Sequence, residues 1–553
     1  MAAPNAMQQI QPIPLIIVGG SHFGRYPKVS NEATWNFIVS DGFLVPYAGY
    51  SNVLTLATAL FGRGLYSSFV GNFMIGVIGS VVYKIVNGVS GLSAVPVGNL
   101  YTNANDVYIA ENNNKEICIT DNQFVYIYNY NNSSFYTSNP ASSSYFPFGY
   151  PYPAPVPSNN VPAAGASTFS NPGYVSFQGG QFIIACTGSN NWVLSGANEG
   201  LIWPNTSPYV GAIQSKPDYC QAVVPMPGGG NNILVFAQNV AECWQRTSSA
   251  LFPFQRNNTF NIDYGCLNPA SIASLKDYVV WLAVNQQSGP VVMVSRGNSI
   301  EPISTDGIDY QLGNLTDPEN CTGFLYQQDG HVVYQFTFPT DNISYAYDFE
   351  TKLFFNVSDE NLDYHPAREV AYFNNNYYFV SLDGGNIYEF STNYSTAQYS
   401  DVANYVIPRI RICPPLRLPS QAYFIIKEIG FTMEMGQPNP LTITVIDDAE
   451  VGIQLATESF KSICTESGII IDVEGDTNTT TTFDSTNKVY LAISRNGGET
   501  YGSFWEKDMN PTGHYINRFR YQRCGHANDA SIQLRFTGTS RYVATNGEVI
   551  IYE

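Results

Sequence analysis

From about residue 51 the chain repeats one local pattern: a short apolar run, a Gly- or Asn-centred turn, then another short run. Residues 73–78 and 81–85 flank Gly79-Ser80, and Asn87-Gly88 closes the unit. Runs at 107–110, 116–120 and 124–128 follow, with Asn-rich turns between them. The same idea recurs at 174–177, 182–186 and 192–194 around Gly179-Gly180, and at 233–236 and 242–245. It continues at 278–283 and 291–294, at 331–338 and 344–349, and at 377–381 and 387–390. Short strands at close, even spacing with turn signals predict an all-β sandwich, barrel or propeller. The units recur loosely, about every 50–60 residues, and each reads as strand, turn, strand, loop, strand, as propeller blades do. The expectation is a β-propeller over 51–400 with about six blades. No WD or kelch signature accompanies it.

The flanks read differently. Residues 1–50 are punctuated by Pro and Gly, with short apolar pieces such as 15–18, and read as an N-terminal arm that packs on something else. After 400 the tone changes around 407–411 and Pro414-Pro415. Further strand-like runs at 424–429, 431–435, 441–445, 488–494, 531–536 and 549–552 predict a separate C-terminal β-sandwich-like domain over 401–553. Helix is scarce; the best candidate, 54–61, also fits a strand. One Pro/Tyr/Ser-rich insertion, 130–172, is too long for an ordinary connection. It reads either as a surface loop or as a projecting gate or docking loop carrying Tyr145, Phe146, Phe148, Tyr150 and Tyr152.

Composition narrows the class. Only 12% of residues are charged, where about 25% is usual, and aromatics reach 14%. Neutral polar and aromatic residues suit pleated, half-buried surfaces and large permanent interfaces, where charge is depleted. The formal charge of −19 excludes a basic-patch nucleic-acid binder. No run of about 18 apolar residues offers a membrane-spanning helix, so no stable membrane insertion is expected. The nine cysteines, an odd number with no C-x-x-C pair, argue against a zinc ribbon or a disulfide scaffold. They read as mostly free, buried thiols in a reducing compartment. The first twenty residues lack a basic stretch before their short apolar run, so neither a signal peptide nor glycosylation of the N-x-S/T triplets is expected.

Catalytic signals are weak. The five histidines show no metal-ligand spacing, and no G-x-S-x-G, P-loop or dinucleotide fingerprint occurs. Ser494 to Tyr501 resembles the Asp-box turn of sialidase-type propellers, with Asn496 in place of Asp and Tyr501 in place of Trp. That motif is a hairpin turn rather than a catalytic site, and no arginine cluster for a substrate carboxylate is visible. Acidic pairs such as Asp306/Asp309 and Asp359/Glu360 read as solvated turns. The expectation is no catalytic residue, no cofactor and no metal. Arg518, Arg520 and Arg523 lie around Phe519 and Tyr521 and stripe one face of a strand. With Arg409 and Arg411 they are the candidate interface residues, meeting an acidic partner.

Several segments together resemble the tail-hub proteins of short-tailed phages, also called nozzle or packaged-DNA stabilisation proteins. They are Asp218 with the strands after it, NNILVFAQNVAECWQ, LFPFQRNNTFNIDYGC, SIASLKDYVVWLAVNQQSGPVVMVSRGNSIEPIST, LAISRNGGETYG and INRFRYQRCGHANDASIQLRF. RGLYSSFVGNFMIGVIGSVVYKI at 63–85 resembles the family's first blade. The resemblance is best over 210–310 and 488–553. The insertion 130–172 and the segment 446–487 look specific to this chain, and Tyr47-Ala48-Gly49 stands where the family tends to carry Pro-Gly. What the resemblance implies is a non-enzymatic virion protein assembled in the host cytoplasm. It implies a homohexameric tube below the portal–adaptor ring that retains packaged DNA, gates its ejection and docks fibres or spikes, with a tail needle or plug as a further partner. DNA would pass without sequence-specific contact along a wall whose acids repel phosphate. The alternatives are a carbohydrate- or receptor-binding adhesin, from the Tyr/Asn/Trp-rich surface, and a sialidase-like glycosidase, from the single Asp-box-like turn.

Overall fold

The computed structural model describes residues 12–26, 31–57, 60–89, 91–149, 169–206, 208–228, 230–249, 252–297, 299–400, 403–435, 487–509, 516–538 and 541–552. It also describes two short strand pairs, Val445–Ile446 with Asn478–Thr479 and Ile453–Gln454 with Asp472–Val473.

Six four-stranded blades follow one another along the chain, each an antiparallel meander. Blade one is Gly62–Ser67, Met74–Ile78, Val81–Gly88 and Gly91–Asn99. Blades two to five occupy 108–137, 172–212, 220–262 and 273–302. Blade six is Thr322–Gln328, His331–Phe338, Ile343–Asp348 and Leu353–Val357. A composite unit closes the ring. Its strands Ala367–Phe373, Asn376–Ser381 and Gly385–Ser391 are completed by Gly49–Ala57, which pairs antiparallel with Gly385–Ser391 from the N-terminal side. The expected all-β propeller is therefore present. The six consecutive blades match the repeat in the sequence, and the closing unit escaped it because its fourth strand lies before blade one. That strand also absorbs the helix candidate at 54–61 as far as Ala57.

Six of the seven gaps between neighbouring units hold their own apolar cluster, and the gap between blade six and the closing unit shares the core of the flanking sheets. Phe73, Val77 and Val82 meet Ile117 and Tyr126 between blades one and two. Met74 and Ile85 meet Phe373 and Tyr378 across the closure. A middle strand packed on both faces reads as a continuous apolar run, and Gln181–Cys186, Ile233–Ala237 and His331–Phe338 are buried at every position. The Asn- and Asp-rich turns sit where positive φ is required, as at Asn374-Asn375 and at Asp329-Gly330, where φ is 47° and 92°. The one described α-helix, Asp306–Gly313, is capped by Thr305, whose hydroxyl accepts the Ile308 N–H; Ile308 and Leu312 plug the gap between blades five and six.

Thr396–Gln398 and Asn404–Val406 extend the closing unit beyond Gly49–Ala57, and the other long-range strands form two facing sheets drawn from both ends of the chain. One contains Phe37–Ser40, Phe43–Pro46, Tyr542–Ala544, Phe424–Met435, Gly547–Tyr552 and Ile13–Leu15, with Ile516–Ala527 on the other side of Phe424–Met435. The second is an extension of blade six. Ala33–Trp35 bridges Leu353–Val357 to Arg409–Ile412, and Ser531–Thr537, Lys488–Ser494 and Trp505–Asp508 follow in order. Between the sheets, Phe37 meets Phe536 edge-on at 5.4 Å, and Leu44, Phe431 and Val549 share one core with Val489, Leu491 and Leu534. That core runs on without a break into Phe324, Phe355 and Phe379 of the propeller.

Asn36 clips the seam. It is buried at φ 57°, its amide donates to Ser358 Oγ and Pro408 O at 2.8 Å each, and its side-chain oxygen accepts the Ser358 N–H. The N-terminal segment thus packs as expected: 31–48 lies at the seam, and Ile13–Leu15 adds an edge strand beside Gly547–Tyr552. Eight cysteines are free and buried. Cys464 lies outside the described residues.

Candidate docking surfaces and the propeller axis

Among the described residues Ile516–Ala527 pairs only with Phe424–Met435, at the edge of the described sheet. Its alternation places Phe519 and Tyr521 in the core and Arg518, Arg520 and Gln522 outward. Phe519 stacks on Phe431 at 5.2 Å. Past a register shift opposite Ile426 and Glu428, Arg523 is also exposed, at φ 59°. The edge strand of the facing sheet, Trp505–Asp508, lies alongside. Lys507 Nζ donates to the Arg520 carbonyl at 2.7 Å, and Trp505, Glu506, Lys507, Arg520, Tyr521 and Gln522 line a shared groove. Arg520 approaches Glu428 at 3.5 Å, a weak exposed pair. Among the described residues Arg518 and Arg523 have no carboxylate partner, and Trp505 and Ile516 are exposed beside them. The predicted stripe is therefore a surface feature.

Arg409 and Arg411, predicted with it, are not. Both are buried. Arg411 donates to Gly20 O and Thr34 Oγ1 at 2.9 Å each, and pairs with Glu32 at 2.5 Å. Arg409 donates to Ser395 O and Tyr47 O, and burial pulls its guanidinium pKa down. The strand Arg409–Ile412 is flanked by partners on both sides, so these guanidinia act as internal struts with no surface left for another chain. Strand alternation in a sequence cannot separate an edge strand from a central one.

The Pro/Tyr-rich insertion also divides. Phe146 and Phe148 are buried between blades two and three with Cys118, Ile127 and Val175, and Phe148 meets Trp203 at 5.3 Å. As core fillers they cannot serve as the tips of a gate, which corrects that expectation for these two residues. Tyr145 is half-buried, bridged to Thr137. Tyr150 and Tyr152 lie outside the described residues.

The Ser494–Tyr501 turn is an Asp-box-like hairpin held by its own side chains. Ser494 Oγ accepts the Gly498 N–H at 2.8 Å and Asn496 Oδ1 accepts the Thr500 N–H at 3.0 Å. It belongs to the sandwich, so the resemblance to sialidase turns is one of local geometry.

Five of the seven units, with the connection before blade five, send residues to the propeller axis. Arg63, Asp106, Tyr108, Tyr174, Thr322, Arg368 and Glu369 surround a cavity of about 90 Å³, roughly three waters' share of liquid. Arg63 is spent on the backbone, donating to Asn105 O, Gly79 O, Thr102 O and Ala104 O. Arg368 of the closing unit pairs with Asp106, which leads into blade two. Glu369 accepts the Leu65 N–H at 2.8 Å. Burial pushes its pKa up to about 7, against the lowering effects of that N–H and Arg368, and Asp106 raises it further. The axis is a charged plug rather than a pore.

A second concavity of about 300 Å³ lies where the loops after blade six meet the closing unit. Its wall includes Asp359, Asp363, Asp383, Tyr364, Tyr388 and Tyr399. Burial raises the pKa of Asp359 and of Glu360 beside it; repulsion from Asp363 adds to both, and repulsion from Asp359 adds to that of Glu360.

Sequence reading missed one arrangement. His331 Nδ1 lies 2.9 Å from Asp348 Oδ2, and its Nε2 lies 3.1 Å from Ser40 Oγ. The order is that of a hydrolase triad. Here Asp348 also accepts the Glu350 N–H and the Thr351 hydroxyl within a turn, and Ser40 belongs to the hairpin of the facing sheet. The chain of bonds clasps that hairpin to blade six. Its partners are far apart in sequence, which left no spacing to read. Among the described residues no three His, Cys, Asp or Glu side chains gather as metal ligands would. No described helix is long and apolar enough to cross a membrane.

No curated protein matches the chain. Solved structures that resemble it include three remote ones. The extracellular domain of the one-component system BT4673 from B. thetaiotaomicron is 11% identical over 62% of this chain and 40% of that one, with a TM-score of 0.38. The chain thus spans well under half the length of that structure. The computationally designed Ika8 protein is 11% identical over 68% of this chain and 99% of its own, at 0.34. U3-55K is 8% identical over 62% and 98%, at 0.37. Residues 22–395, more than half of the chain, match the phage stabilisation family described as Bacteriophage P22 Gp10, beta-propeller. The match takes in the ring with the strand that closes it and stops before the C-terminal strands of the sandwich. The chain belongs to that family and is a phage structural protein built on a β-propeller.

Proposed function

We propose that this chain is the subunit of a tail hub, a ring of six below the portal–adaptor that retains packaged DNA, lets it out along the ring axis and docks fibres or spikes. The observation that carries the reading is the family match over the propeller, 22–395. Three features support the finer parts. The propeller's own axis is closed by the Arg368–Asp106 pair and leaves about 90 Å³. A duplex path therefore belongs to the axis of an assembly, with each propeller a solid block in its wall. The charge of −19 suits a wall from which phosphates are repelled. Low charge and many aromatics suit permanent subunit interfaces.

Native mass spectrometry of the purified chain, alone and with the portal–adaptor complex, tests the reading. A mass of six subunits, alone or on the adaptor, is the expected result. A stable monomer that ignores every tail component overturns it and directs attention to glycan binding.

A further inference from the structure

We propose that the sandwich edge carrying Arg518, Arg520 and Arg523 docks into the Asp–Tyr concavity beside blade six on a second copy of this chain. The proposal rests on the ring reading above and names the contact that would close the ring.

The donor surface is unusual for this molecule. In a chain with 44 acids and 25 bases, three arginines stand together on exposed positions, two without a carboxylate partner among the described residues. They sit on the strand at the edge of the described sheet, and strand edges invite another chain. Like charges facing each other disfavour pairing of this edge with its own copy. An isologous contact is thereby discouraged, and the partner must be a different, acidic surface, which is the condition for a head-to-tail ring. Exposed Trp505 in the adjoining groove supplies the apolar anchor that such contacts need.

The receiving surface matches a guanidinium. Asp363 and Asp383 are exposed at its rim, with Asp359 deeper. Carboxylates offer paired acceptors, and the half-buried rings of Tyr364 and Tyr399 offer faces on which Arg stacks. The wall also holds Asn386, whose Oδ1 is buried without a hydrogen-bond partner and would accept an incoming N–H. Among the described residues no Lys or Arg of the same chain reaches these acids within ion-pair distance. The chain's own stripe cannot do so. Five strand steps of about 4.8 Å, roughly 24 Å, separate Leu353–Val357, which leads into Asp359, from the edge strand Trp505–Asp508.

Two double variants test the contact: Arg518→Glu with Arg520→Glu, and Asp363→Lys with Asp383→Lys. Sedimentation and native mass spectrometry follow each variant, the wild type and an equimolar mixture of the two variants. Each variant alone is expected to lose the wild-type assembly. The mixture is expected to regain it, because the Arg edge of one variant meets the acidic pocket of the other and the Glu edge meets the Lys pocket. Regained assembly also shows that both variants fold. Assembly of either variant at wild-type concentrations, or no recovery on mixing, overturns this contact and leaves the ring reading standing. A wild-type chain that remains monomeric alone and with the portal–adaptor overturns both.

Discussion

Glu369 is the residue whose chemistry is most sharply set by its place in the ring. It lines the axial cavity, where burial holds its pKa near 7, above the ordinary carboxylate value of about 4.3. A raised carboxylate pKa means that the folded state binds the proton more tightly than the unfolded one. Its contribution to stability is complete below the unfolded pKa and is lost as pH rises through about 7. Glu369→Gln keeps an acceptor for the Leu65 N–H and removes the titration. The variant is expected to melt higher than wild type at pH 8 and close to it at pH 4.5, with the difference opening between pH 5 and 7. A constant difference across that range would show that Glu369 does not titrate there. Arg409 and Arg411 carry a contrasting lesson. The R-x-R spacing correctly marks one face of a strand, yet that face points into Ser395, Gly20 and Glu32. Periodicity gives the face of a strand, and only its neighbours decide whether that face is wet.

At the scale of elements, the blades were legible because each strand is short, apolar and bounded by Asn or Gly turns that need positive φ. The runs at 233–236 and 278–283 fall within Ile233–Ala237 and Tyr278–Ala283. What could not be read is which strands join across long separations. Gly49–Ala57 closes the propeller, and Ala33–Trp35 fits between Leu353–Val357 and Arg409–Ile412, because of register and burial that no local pattern records. The axial charges and the Ser40–His331–Asp348 clasp were hidden for the same reason. The insertion shows the opposite error, in which composition suggested projection. Phe146 and Phe148 instead fill the space around Trp203. Phe148→Ala is expected to cost about 3–5 kcal/mol, the usual range for an aromatic removed from a core. Chemical denaturation should show the midpoint falling with the slope retained. A midpoint unchanged from wild type would return Phe148 to the class of exposed loop residues.

At the scale of the whole molecule, propeller and sandwich are joined by both of the means that make a fold cooperate. A single nine-stranded sheet starts as blade six and ends in the sandwich, and a single apolar core crosses the seam. Each half also depends on strands from the other's end of the chain: the closing strand of the propeller follows directly on the sandwich hairpin Phe37–Ser40 and Phe43–Pro46. Independent units would be joined by a linker with few crossing contacts; here the crossing region contains Asn36 and Arg411 with most of their polar groups engaged. In the hub proposed above, such a joint would pass load on a docked sandwich to the propeller without a hinge. The consequence can be measured through tryptophan. Trp192, Trp203, Trp244 and Trp281 are buried in the propeller, whereas Phe536 lies in the sandwich core; the other two tryptophans, Trp35 and Trp505, share its sheet and are replaced by Phe in the reporter background. Phe536→Ala, placed away from all four, is expected to lower the temperature at which the tryptophan fluorescence changes, together with a single calorimetric transition. If the fluorescence transition stays at its wild-type temperature while a second, lower transition appears, the two halves unfold separately and the continuous sheet does not couple them.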